Sequence, residues 1–197
     1  HDIGQGVING IQSTIYDTFR HLDFEAIERA AEAIVKSGFV LAFGSGGASS
    51  MMAGEIETRL FRLGLRVAST DDHQMQLMRA AAAPAGSVVV AFSLSGNNAQ
   101  LARTLAVAGE YGLTRIVITR SGSMVAAQSD ILLPVNWHEN TDILRPTPGR
   151  YAVLVTVDIL AQTVATRLGP DAISAMRRIK HQLVATRDGN DTQPLGD

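Results

Sequence analysis

Apolar positions along the chain change period twice, and those changes divide it into three stretches. From Ile3 to Phe19 the residues Ile8, Ile11, Ile15 and Phe19 recur every three or four positions, which predicts a helix with one buried face. Asp23 then predicts the cap of a second helix, Phe24 to Ser37, with Ile27, Ala30, Ala31 and Ile34 turned inward. Beyond it the period shortens. Aliphatic runs at Phe39–Phe43, Ser87–Phe92, Arg115–Thr119 and Asp130–Val135, with a weaker one at Leu65–Ser69, predict strands. Amphipathic stretches at Ser50–Leu63, Asp72–Ala82 and Asn97–Tyr111 predict the helices between them. Strands that are apolar throughout and alternate with helices indicate a parallel sheet covered on both faces, so the fold class expected is α/β with a doubly wound sheet.

The last third changes again. Asn136 to Gly149, carrying WHENTD and RPTPG, is too polar and too rich in turn residues to extend the fifth strand, and its length predicts a functional loop or a mobile one. Tyr151 to Arg167 reads as an apolar helix, Pro170 opens another that runs to about Arg187, and RDGNDTQPLGD reads as a tail. The faces of Ile8, Ile11, Ile15, Val153, Val157, Leu160 and Val164 are more than one small sheet needs, which predicts that part of this surface forms a subunit interface.

Composition narrows the picture. A chain of 197 residues, 46% hydrophobic and 18% charged, suffices for one domain with a sizeable core. It contains no cysteine, which excludes disulfides, thiolate metal sites and a cysteine nucleophile. Its 17 basic and 19 acidic residues are mixed along the chain and leave no broad basic face for nucleic acid. No apolar run approaches the length of a membrane span and the start lacks a secretory signal, so a cytoplasmic protein with no membrane partner is expected.

Candidate chemistry lies in two loops. FGSGGASS, Phe43 to Ser50, ends the first strand and opens a helix; SLSGNN, Ser93 to Asn98, does the same after the third. Glycines let backbone N–H groups approach a ligand, the helix behind each loop offers its positive end, and Ser45, Ser49, Ser50, Ser93 and Ser95 add hydroxyls beside the amides of Asn97 and Asn98. A single Gly-rich turn is often only a tight connection; two serine-rich loops at equivalent strand ends point to a bound phosphate. The first loop lacks the third glycine of a dinucleotide fingerprint, and no Gly-Lys-Ser/Thr follows as a P-loop requires. No cofactor is expected. The i, i+4 histidine pairs of a metal site are absent from the sequence, and no metal is expected either.

GSGGASS, LFRLG, SLSGNN and EYGLTRIVITRSGSMVAAQSDILLPV, in this order and spacing, resemble a SIS (sugar isomerase) domain, in the version found as the C-terminal effector domain of RpiR-type bacterial transcriptional regulators. The resemblance runs from LDFEAIERAAEAI to DILAQTVATRL. It implies a three-layer αβα sandwich around a five-stranded parallel sheet, a homodimer or tetramer, and a sugar phosphate held by the serine loops. On the family pattern Ser49, Ser93 and Ser95 are ligand residues, Gly96 makes the turn and Asn98 stands where threonine is frequent. The first loop is one residue longer than the usual pattern, which adds Ser45, Gly47 and Ser50 to the candidate ligand-binding set, and Gln100 replaces a frequent acidic residue. The resemblance also implies a division into N-terminal linker or dimerisation helices (1–37), the phosphosugar domain (38–187) and a tail (188–197). It implies DNA contact only through a preceding helix-turn-helix domain that this chain does not include, as in an excised effector domain.

The same fold serves aldose–ketose isomerases, which need a base to move a proton between adjacent carbons. Glu139 is the first candidate for that base and is equally a candidate for hydrogen bonding to sugar hydroxyls; His138 and His73 are the others, although a first-turn helix position beside Asp71 or Asp72 explains His73 as well. Arg145 and Arg150 are candidates to pair with a phosphate or with Glu139, and Trp137 to stack on a sugar ring or simply to pack. The reading favoured is a sensor, with a sugar-phosphate isomerase as the alternative.

Overall fold

The computed structural model describes residues 2–137, 144 and 146–186. Seven α-helices and five strands are found there: α1 (Asp2–His21), α2 (Phe24–Lys36), β1 (Val40–Gly44), α3 (Gly47–Arg62), β2 (Val67–Thr70), α4 (His73–Ala82), β3 (Val88–Ser93), α5 (Ala99–Glu110), β4 (Thr114–Thr119), β5 (Ile131–Pro134), α6 (Gly149–Leu168) and α7 (Pro170–Thr186). The caps follow the sequence. Asp23 accepts the Ala26 N–H at 2.9 Å, Asp72 accepts that of Met75 at 2.8 Å, and Asn98 accepts that of Leu101 at 3.0 Å.

All strand pairs are parallel, in the order β2-β1-β3-β4-β5. Helices α2, α3 and α6 bury one face of the sheet, where Ile27, Ile34, Ile56, Leu60, Val157 and Leu160 meet Val90, Phe92 and Ile118. Helices α4 and α5 cover the other, where Ala80, Leu101 and Leu105 meet Phe43, Val89 and Val117. This is the expected αβα sandwich. The order changes direction at β1, whose neighbours are β2 and β3, so the crevice beyond the carboxyl ends of β1 and β3 is the topological switch point where ligands bind in open α/β sheets. Register pairs Gly44 with Phe92, so the two serine loops leave the sheet side by side.

Three expectations need correction. In α1 the inward residues are Thr14 and Thr18, with Val7, Ile11 and Ile15 half-buried, while Ile8 is 50% and Phe19 57% exposed. The helix packs along α6 through a narrower stripe than four equally spaced apolar residues suggest. The face of Val153, Val157, Leu160 and Val164, expected in part at a subunit interface, is fully buried in the domain's own core beneath α2. And α6, 20 residues long with an 18-residue stretch of mean hydropathy 1.3, is long and apolar enough by length and composition to cross a membrane, contrary to the sequence reading; here it is a core helix.

At the far end of the sheet, Arg115 on β4 grips Asp130, the residue before β5, with Nε and one terminal nitrogen on separate carboxylate oxygens at 2.9 and 2.7 Å, and its backbone N–H donates to the same carboxylate at 2.8 Å. The guanidinium's hydrogen bonds hold the Asp130 carboxyl below its ordinary value against the opposing effect of burial, and raise that of Arg115. The pair aligns β5 with β4.

Candidate functional site

A cavity of about 560 Å³ opens at the switch point, lined by Ser45, Gly46, Ala48, Ser49, His73, Ser93, Leu94, Ser95, Asn97, Asn98, Ala99 and Gln100. Its shape begins with Gly44. A Cβ there would lie 2.0 Å from the Ser49 carbonyl oxygen, so only glycine lets the chain turn from β1 straight into α3. The first-turn N–H groups of α3 and α5 have no acceptor within their own helices, and both N-termini face the cavity with their positive dipole ends. A phosphate fits that arrangement of neutral donors.

The hydroxyls divide by partner. Ser49 is buried and accepts the Leu94 N–H at 3.3 Å, which ties the first loop to the second. Ser93, 4% exposed, accepts the Gly96 N–H at 3.1 Å, and its carbonyl is held by the Thr119 hydroxyl at 2.6 Å. Gly96 has φ +69°, and a Cβ there would meet Ser123 at 2.3 Å, so the turn and the Ser123 segment require glycine together. Ser95 is exposed and accepts the Asn97 N–H at 3.2 Å. Because Ser49, Ser93 and Ser95 each accept a hydrogen bond, each retains its own O–H for a ligand.

Other candidates fall elsewhere. Ser50 donates to the Gly47 carbonyl at 3.0 Å, and neither residue lines the cavity; Gly96 shapes the wall without lining it. Arg150 reaches the Tyr151 hydroxyl at 3.1 Å. Trp137 is half-buried beneath the Arg120 guanidinium, 4.3 Å from its ring centre. His138, Glu139 and Arg145 lie outside the described residues. His73 is the first residue of α4, as the capping argument has it, and also lines the cavity, with Nδ1 3.3 Å from the Ser45 hydroxyl. Gln76, which the sequence reading missed, has no exposure and reaches the same hydroxyl at 3.0 Å. Its signal was present: a glutamine on the inward side of a helix is a polar residue at a core position.

Comparison with known proteins agrees with this fold. The sequence profile of the SIS domain matches residues 34–163. The HTH-type transcriptional regulator HexR of Pseudomonas aeruginosa is 34% identical over 166 residues, covering 84% of this chain and 58% of that protein. The chain thus spans a little over half the length of that relative. Among solved structures, the Vibrio vulnificus NanR protein complexed with ManNAc-6P superimposes with a TM-score of 0.85 at 19% identity, over 94% of this chain and 70% of that one. The sugar isomerase domain of an RpiR transcription factor from Sphaerobacter thermophilus does so with a TM-score of 0.81 at 22% identity, over 92% and 99%.

Proposed function

This chain belongs to the SIS domain family, and from that premise we propose that it is the phosphosugar-sensing effector domain of an RpiR-type transcriptional regulator that works in the cytoplasm. The observation that carries the reading is the pairing of two serine loops and two helix N-termini around one cavity at the β1/β3 switch point. Neutral hydroxyls, backbone N–H groups and helix dipoles hold a phosphate without a fixed cation, and Asn97, Asn98 and Gln100 supply amides for the sugar hydroxyls beyond it. Among the described residues that line the cavity, His73 is the one titratable side chain, and none is a carboxylate. The resemblance to HexR and to NanR supports a regulator; DNA contact belongs to a helix-turn-helix domain outside this chain, and a homodimer or tetramer is the expected assembly. The phosphosugar acts by favouring one geometry of that assembly, which sets the spacing of the DNA-binding domains.

A proton and phosphorus NMR titration in D2O, with a panel of pentose, hexose and amino-sugar phosphates, tests this. Selective broadening for one sugar phosphate with no deuterium entering the carbon next to its carbonyl is the result expected of a sensor. Deuterium incorporation, or a new aldose or ketose signal, identifies an isomerase and overturns the proposal.

A further inference from the structure

Gln76 lies on the inner side of α4 with no solvent exposure, and a primary amide so buried needs partners. Its nitrogen Nε2 reaches the Thr70 carbonyl at 2.9 Å, the Ser45 hydroxyl at 3.0 Å and, at 3.4 Å, the Gly44 carbonyl. Two of these are carbonyl oxygens that only accept, so the NH2 end of the amide must face them; the reverse orientation would set oxygen against oxygen. The Oε1 end has no hydrogen-bond partner among the described residues. An apolar side chain of the same size would fill the space without that unpaired oxygen, so packing alone does not account for a glutamine here.

The consequence falls on Ser45. A hydroxyl has one hydrogen and two lone pairs; with Gln76 donating to the oxygen, the Ser45 O–H is committed to donating elsewhere. Its one other hydrogen-bond neighbour among the described residues is His73 Nδ1 at 3.3 Å, and both side chains line the cavity. We propose that Gln76 is a positioning residue for anion binding: it orients the Ser45 hydroxyl as a donor, toward His73 Nδ1 in the tautomer that leaves that nitrogen an acceptor and toward a phosphate oxygen when the anion binds. The inference rests on the phosphosugar reading above and adds to it a residue that never touches the ligand.

A double-mutant cycle tests it, with inorganic phosphate as the probe and 31P line broadening as the readout. Gln76→Met removes the donor at similar size, Ser45→Ala removes the hydroxyl, and urea unfolding of each variant verifies the fold. Each single change is expected to weaken phosphate binding about tenfold, and the double variant to bind no worse than Ser45→Ala, because Gln76 acts only through that hydroxyl. Should Gln76→Met not fold, Gln76→Glu keeps the shape, brings at most one proton to three oxygens, and is expected to give the same non-additive loss. A glutamine variant that binds like the parent, or whose loss multiplies in full with that of Ser45→Ala, overturns the inference and leaves the phosphosugar reading standing. If the unsubstituted protein takes up neither inorganic phosphate nor any sugar phosphate, both fall together.

Discussion

The hydroxyl of Ser49 on α3 accepts the backbone N–H of Leu94, 45 residues later in the chain, at 3.3 Å, and this bond joins the two loops of the cavity. Ser49→Ala should therefore damage two properties at once. Leaving the Leu94 N–H without its partner is expected to cost about 1–3 kcal/mol of stability, and loss of the ligand-facing O–H should weaken phosphosugar binding roughly tenfold. Urea unfolding and a 31P titration of the same sample measure both. Full retention of either property would show that the contact is incidental.

Ser93 and Ser95 look equivalent in the sequence, but the structure separates them. Ser93 is buried and its hydroxyl holds the Gly96 N–H, so Ser93→Ala should lower the unfolding free energy by about 1 kcal/mol as well as impair binding. Ser95 is exposed, and Ser95→Ala should impair binding while the urea midpoint stays near the parent value. Equal midpoints for the two variants would remove the distinction.

Gly44→Ala places a methyl 2.0 Å from the Ser49 carbonyl oxygen, a backbone atom that cannot move without displacing the start of α3. Destabilisation of about 1–3 kcal/mol is expected, with loss of detectable phosphate binding. A variant that binds normally would mean that the turn adapts more readily than its packing indicates.

Asp130 carries a pH dependence that can be worked out in sign. Its folded-state value lies below the unfolded one because Arg115 binds the charged form. The pair's contribution is therefore complete above the unfolded value of about 3.9 and disappears as pH falls through the lower folded value. The Asp130 side chain is 41% exposed, so water screens the pair and Asp130→Asn should lower stability at neutral pH by about 1 kcal/mol or less. Urea midpoints of parent and variant should differ at pH 7 and converge toward pH 3; a constant gap would assign the effect to something other than the charge.

The strand–helix alternation was legible because apolar runs and amphipathic periods record which faces meet the core. Val88 to Phe92 and Ile116 to Ile118 are buried on both faces and read plainly as strands. Strand β2 was the weak one, predicted at Leu65–Ser69 and found at Val67–Thr70, because an edge strand with every residue half-buried leaves only a faint apolar signal. In α1, periodicity indicated a helix and placed Ile11 and Ile15 on its inner side but not Thr14 and Thr18, since that side was set by where α6 lies and the threonines supply methyl groups that a hydrophobic count overlooks.

By itself the sequence determined the layers, the two serine loops and their family, for these depend on local turns, caps and burial periods. Tertiary structure alone decided which groups meet at the cavity. Gln76 and Ser45 are 31 residues apart and become neighbours because β2 and β3 flank β1, an order that no local pattern encodes. The same order brought Ser49 to Leu94, whereas Ser93 and Ser50 hold partners only three residues away, Gly96 and Gly47. Each hydroxyl has one proton, and where that proton points follows from the neighbours that folding brings to it.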